Sequence, residues 1–402
     1  MLGRRAVRTL CLAAALCGAA VPAGAISIQV DYTYDTTNFF GTGNPQGAAA
    51  GAQAQAALEA AADFYSVILT DSFSSIETPD PFHSTVSNGV MTWEWTMNFN
   101  HPTSNASTTL FDQTVAEDEF RIFAGARNLT GTTLAVSGPG GFGASATPTG
   151  LFSPSENNQI SQITDDFFDA VTMRGEPNGF TRWGGTTTFD RVGTNWNYDH
   201  TTLPSAGESD LFSVAIHELG HTLGLGASDQ WNSWVSGTFF IGPESFDAHD
   251  GLVPLDCDGS SCGHWAEGTM SEILGTNTPQ EVALDPIISS GMRTRLTKLD
   301  AAALTDIGWD VAPITFQEAD YDFDGDVDDQ DLAHWETWFG INGNADADGD
   351  TDTDGADLLV WQQQYTGPTA LFAPNSIPEP SSLCLTACSL AALGFLARRR
   401  LR

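Results

Sequence analysis

From Ile26 the chain alternates apolar and polar positions, Ile-Ser-Ile-Gln-Val-Asp-Tyr-Thr-Tyr, the period of a strand with one buried face. Residues 46–69 are alanine-rich and mostly apolar on one side, which predicts a long helix packed on a sheet. Residues 91–97 alternate again as Met-Thr-Trp-Glu-Trp-Thr-Met, and residues 119–125 and 132–136 predict further strands. Residues 138–150, rich in Gly and Pro, read as a surface loop. A second helix is expected over 160–173 and a strand over 185–190. Ser209 and Asp210 precede the apolar run 211–216, so one of them caps a helix that Gly224 and Gly226 stop. The last helix of this region opens on Thr297-Lys298-Leu299-Asp300, a capping box with Asp where Glu is usual, and ends near Gly308. This order predicts an α+β domain with its sheet in the first half and a sparser, loop-rich second half.

The ends of the 402-residue chain differ from its body. Residues 1–25 carry Arg4, Arg5 and Arg8, an apolar run and then Ala23-Gly24-Ala25, the pattern of a secretory signal peptide. The run is too short for a spanning anchor. The net charge is -36, and seven of the fifteen basic residues lie in the two end segments, so the body is more acidic still. Such a body repels nucleic acid and anionic lipid, and nucleic acid is excluded as a partner. Outside the end segments only Cys257 and Cys262 remain. In an exported protein they predict a small disulfide loop, with free thiols or a pair of metal ligands as the alternatives.

The chemistry concentrates in His217-Glu218-Leu219-Gly220-His221. Residues four apart share a helix face, so both imidazoles can reach one metal ion, and Glu218 stands where a carboxylate can take a proton from a metal-bound water. Catalytic zinc takes three protein ligands, so a third is required. The run His-Glu-Leu-Gly-His-Thr-Leu-Gly-Leu-Gly resembles the metzincin metalloproteases, whose motif places a third ligand at its eleventh position. Here that position is Ala227, which offers no donor, and Asp229 comes two residues late. Gly263-His264-Trp265-Ala266-Glu267 is similar to the distant third histidine of the leishmanolysin branch, with His249 as the competing candidate. Metzincins also keep a methionine in a turn beneath the metal. Ala283-Leu284-Asp285-Pro286 has the shape of that turn with leucine in its place, and Met270 is the competitor.

The resemblance covers residues 26–312 and implies an exported zinc endopeptidase. Zinc would be held by His217, His221 and His264, with Glu218 activating its bound water and later protonating the leaving amine. A protein or peptide substrate would lie extended along an edge strand, for which residues 185–190 are the candidate. The rival reading is an inactive metzincin fold that serves as a cell-surface or extracellular binding module.

Residues 313–368 hold two acidic loops of calcium-ligand spacing. The first offers Asp320, Asp322, Asp324, Asp326 and Asp331 around Gly325; the second offers Asp346, Asp348, Asp350, Asp352 and Asp357, with Thr351 where glycine is usual. Each leads into a short helix, with Trp335 and Trp361 four residues on. The pair resembles a dockerin type I module, which implies Ca2+ and a cohesin-like or surface partner. In residues 369–402, Pro378-Glu379-Pro380, an apolar stretch and a basic end resemble the PEP-CTERM sorting signal of Gram-negative bacteria. That implies a transient inner-membrane tether and final placement outside the cell, with a permanent anchor as the alternative.

Overall fold

The computed structural model describes residues 26–175, 180, 183–259, 261–313, 317–321, 327–341, 345–348 and 352–367. The signal-peptide and sorting-signal readings lie outside these residues.

In chain order the first half runs β1 (Ser27–Asp31), α1 (Ala48–Ile68), β2 (Phe82–His83), β3 (Val90–Asn100), β4 (Ser107–Phe111), β5 (Glu119–Arg127), β6 (Ala135–Pro139), β7 (Gly141–Thr149), α2 (Pro154–Thr172) and β8 (Gly184–Asp190). The main sheet has the order β1-β5-β8-β6. Its first three strands are parallel, and β6 returns antiparallel along β8, with Val136 opposite Thr188 and Gly138 opposite Thr186. Residues 185–190 therefore lie between two strands, and β6 forms the edge. This corrects the expected edge strand.

The second sheet is built on β3, which pairs with β2, β4 and β7. Residues 138–150, expected as a loop, are the end of β6 and the whole of β7. Gly141 and Gly143 do not break β7, because nine residues of β3 pair with it in register. Long-range pairing here outweighs the weak strand propensity of glycine.

Two cores result. Alanine-rich α1 and the helix α3 (Leu211–Thr222) cover one face of the main sheet through Ala54, Leu58, Tyr65, Phe120, Ile122, Phe189 and Leu219. Small alanine side chains let α1 come close, and the buried Tyr65 hydroxyl donates to the Ile216 carbonyl of α3 at 2.8 Å. The other face packs Phe123 and Trp183 against Trp93, Trp95, Met97 and Phe99 of β3 and against Phe167 and Val171 of α2. Burial on both faces explains the unbroken apolar run Ile122 to Ala126 in β5.

Beyond α3 come α4 (Asp229–Ser233), α5 (Pro243–His249), the hairpin Val253–Asp258 and Ser261–Trp265, and α6 (Lys298–Asp306). Thr297 caps α6 in a reciprocal box with Asp300. The last helices, α7 (Asp329–Trp338) and α8 (Gly355–Gln364), each open on an Asp cap closed by a second Asp three residues on, Asp328 with Asp331 and Asp354 with Asp357.

Candidate metal centre

Helix α3 starts at Asp210, whose carboxylate accepts the Ser213 N–H at 3.1 Å. It is buried along nearly its whole length, because the main sheet, α1 and the lower half enclose it. His217 and His221 share one face, with their Nε2 atoms 3.1 Å apart. Gly224 (φ 105°) and Gly226 (φ 68°) then turn the chain in the left-handed region. A Cβ on Gly226 would meet the Gly263 carbonyl oxygen at 1.9 Å, so glycine lets this turn press against the strand that carries His264.

His264 comes from the hairpin closed by the Cys257–Cys262 disulfide. The buried Trp231 holds that strand by donating Nε1–H to the Cys262 carbonyl at 2.9 Å. The Nε2 of His264 lies 3.0 Å from that of His221 and 3.3 Å from that of His217. His249 ends α5 and does not join this cluster, and Asp229, at the start of α4, is exposed.

The three nitrogens fit zinc. Ligand atoms around a tetrahedral ion with Zn–N bonds near 2.0–2.1 Å stand about 3.3–3.4 Å apart. The second nitrogens are tied to carbonyls. Nδ1 of His217 is 2.8 Å from the Ala283 oxygen, and Nδ1 of His221 is 2.8 Å from the Leu225 oxygen. Donating from Nδ1 leaves the Nε2 lone pair free for a metal. Burial, reinforced by the neighbouring imidazoles, holds His217 well below its ordinary value and His221 at about 4. Burial also lowers His264. The set is therefore neutral and ready to ligate at neutral pH.

Glu218 points from the same helix into a cleft of about 900 Å³ between residues 132–137 and 286–290. Burial pushes its carboxyl up to about 7, with the Ser137 hydroxyl pulling the other way. Its Oε2 is buried without a hydrogen-bond partner among the described residues, an acceptor left for something in the cleft. The Ser137 hydroxyl donates to the Glu218 carbonyl at 2.7 Å and pins β6 to α3 at that residue. Sequence reading passed over Ser137, because it fell at the seam between an expected strand and an expected loop.

Beneath the histidines, residues 283–286 make the turn whose Ala283 carbonyl holds His217. Leu284 is fully buried there, and a Cβ on Gly220 would sit 3.2 Å from its Cδ2. Met270 is 51% exposed on a separate strand. Leucine thus supplies the apolar floor.

In the C-terminal module, oxygens of Asp346, Asp348 and Asp357 lie within 4.8 Å of one another, as do those of Asp352, Asp354 and Asp357. Asp331 accepts the N–H groups of Tyr321 and Asp328, and Asp357 those of Ala347 and Asp354. Asp320 is buried beside them. Asp322, Asp324, Asp326 and Asp350 fall outside the described residues.

Compared with known proteins, the family model for matrixin (Peptidase_M10) matches residues 159–249. The match supports a metzincin-like metallopeptidase. It spans α2 to α5, includes His217, Glu218 and His221, and stops before His264. No curated protein and no solved structure matches the chain.

Proposed function

We propose that this chain is an exported zinc endopeptidase that cleaves protein or peptide substrates. The observation that carries the reading is the meeting of three imidazole nitrogens, 3.0–3.3 Å apart, beside a buried carboxylate oxygen with no partner among the described residues. When bound, zinc supplies a Lewis acid that polarises the scissile carbonyl and makes water a usable nucleophile at neutral pH. Glu218 takes the proton of the attacking water on Oε2 and returns it to the leaving amine. Its raised value, about 7, suits a group that must both accept and give a proton near neutrality. The free edge of β6 offers backbone donors and acceptors to an extended peptide, in place of the inner strand β8. Signal peptide, dockerin-like calcium loops and PEP-CTERM-like tail together suit a protease that leaves the cytoplasm and is held at a surface through Ca2+-dependent contacts.

The test is bound zinc together with casein hydrolysis for the chain, for Glu218→Ala and for His264→Ala. Glu218→Ala keeps zinc and loses at least ~100-fold in activity, and His264→Ala loses zinc. A folded chain with neither zinc nor hydrolysis would refute the enzyme and leave a binding module.

A further inference from the structure

The metal cleft is not the only depression along β6. A groove of about 570 Å³ runs behind the same strand and shares Val136 and Ser137 with the cleft. Register separates the two. Ser137 lies on the α3 face of the main sheet, where its hydroxyl meets the Glu218 carbonyl. Val136 and Gly138 lie on the opposite face, in line with Thr188 and Thr186 of β8, and with Gly125 and Phe123 of β5 beyond them. Arg127, two residues after Gly125, shares that face. A peptide paired with β6 presents alternate side chains to the two faces, so every second residue faces the groove.

Arg127 lines this groove together with Asn98, Asn105 and Thr188. It is tethered through one nitrogen only, with Nη1 donating to the Pro102 carbonyl at 3.1 Å and to the Thr188 hydroxyl at 3.4 Å. Its Nε and Nη2 make no hydrogen bond among the described residues, and neither is sealed away as a buried unpaired atom. Arg121, Arg293 and Lys298 are neutralised by Glu119, Asp210 and Glu272, whereas Arg127, Arg174 and Arg191 have no carboxylate within ion-pair distance among the described residues. Of these three, Arg174 is fully buried with its guanidinium committed to the carbonyls of Ser74, Glu119 and Ala116, Arg191 has its Nε sealed in the interior, and Arg127 lines the groove. In a chain with 51 acidic residues and 15 basic ones, an unpaired cation lining a groove is unexpected. Partial burial also lowers its value, as for a cation short of counter-charge.

We propose that the groove is a subsite for an acidic side chain of the substrate, with the Arg127 guanidinium receiving an Asp or Glu carboxylate. The peptide lies along β6, and the acidic residue is one of those that face Val136 and Gly138. The chain's net negative charge repels acidic peptides at long range, so discrimination comes from this contact and from its register. The inference rests on the peptidase reading above and adds a preference to it.

The test is fluorescence anisotropy on the zinc-loaded full chain carrying Glu218→Ala, which holds peptides without cleaving them. Short labelled peptides carry one Glu, or Gln in its place, moved stepwise along the sequence. At alternating positions the Glu peptide binds about tenfold tighter than its Gln counterpart, and salt weakens the preference. Adding Arg127→Gln abolishes the preference and leaves Gln-peptide affinity and zinc content unchanged. Arg127→Lys retains a smaller preference, and it carries the comparison if Arg127→Gln does not hold zinc. A Glu preference at no position, or an undiminished one in either variant, overturns the subsite alone. Failure to bind any peptide while zinc is retained overturns both the subsite and the peptidase reading.

Discussion

The carboxylate of Asp300, in the first turn of α6, accepts the backbone N–H of Ala283 at 2.8 Å, and the carbonyl of the same Ala283 holds Nδ1 of His217. The other Asp300 oxygen accepts Nε1–H of Trp265, the neighbour of His264, at 2.9 Å. One fully buried carboxylate thus holds the backbone behind His217 and the indole of the residue next to His264. The same carboxylate also accepts the N–H and the hydroxyl of Thr297, so the cap of α6 and the brace behind the histidines share one side chain.

Asp300→Ala leaves the N–H groups of Ala283, Thr297 and Trp265 without an acceptor in the core. The expected cost is roughly 3 kcal/mol or more in the metal-free chain, with zinc affinity lower by about 10–100-fold. Thermal unfolding and chelator competition measure the two effects. Unchanged zinc affinity in a destabilised variant would mean that the turn does not position His217.

The far wall of the cleft, residues 286–290, depends on a second buried carboxylate. Arg293 pairs with Asp210 through two contacts of 2.9 Å, with both side chains almost inaccessible, and its remaining groups bond the carbonyls of His200 and Thr202. Thr294 N–H adds a bond to the Ser213 hydroxyl at 2.7 Å, so the wall is fastened to the first turn of α3. Arg293→Met strands the Asp210 charge and is expected to cost about 3–5 kcal/mol. The double variant with Asp210→Ser keeps a helix cap without the buried charge and should recover part of that loss. Urea unfolding of the two decides; equal losses would show that the stranded charge is not the cause. In both, KM for peptides rises more than kcat falls.

Local signals made much of this legible. Helical spacing put His217 and His221 on one face, Asp210 and the two glycines bounded α3, and the Thr297–Asp300 box announced α6. The edge of the sheet was not legible. Strand β8 reads as a well-formed strand because it is interior, whereas the strand expected over 132–136 catches only the start of β6, and Gly138, Gly141 and Gly143 become strand residues through partners far along the chain. The Arg293–Asp210 pair is likewise silent in sequence, since ion pairing between residues 83 apart leaves no period. Arg127 and Ser137 belong to the same class: their meaning comes from the face of the sheet they occupy.

The depressed histidines predict an acid limb in stability. His221 is held at about 4 against an ordinary 6.5, and His217 and His264 are also lowered, chiefly by burial. As pH falls below about 6.5 the unfolded chain takes up protons that the folded metal-free chain refuses. Their contribution is therefore complete above that value and is lost as pH falls toward about 4. Asp63, pushed up to about 6 by burial and by Glu59, works in the opposite sense over part of this range. The comparison that isolates His221 is the chelator-stripped chain against His221→Asn, by urea unfolding from about pH 7 down to about pH 5. The variant should show the shallower decline; equal slopes would remove His221 as a source of it.

In the C-terminal module each helix is tied to the start of the other. Trp335 of α7 donates Nε1–H to the Asp354 carbonyl at the cap of α8, and Trp361 of α8 donates to the Asp328 carbonyl at the cap of α7, both at 2.8 Å. Each cap follows an acidic run in the sequence, and the carbonyl of each cap is held by the other helix's tryptophan. If the loops bind calcium, ordering one should assist the other, because the cap and the crossing tryptophan settle together. Trp335→Phe keeps the ring and removes the donor, and should weaken binding at the second loop, which Trp335 does not belong to, by about 5-fold or more. Calorimetric calcium titration of the two single variants, Trp335→Phe and Trp361→Phe, reads this directly. Loss confined to the loop on the mutated side would show that the two halves bind independently.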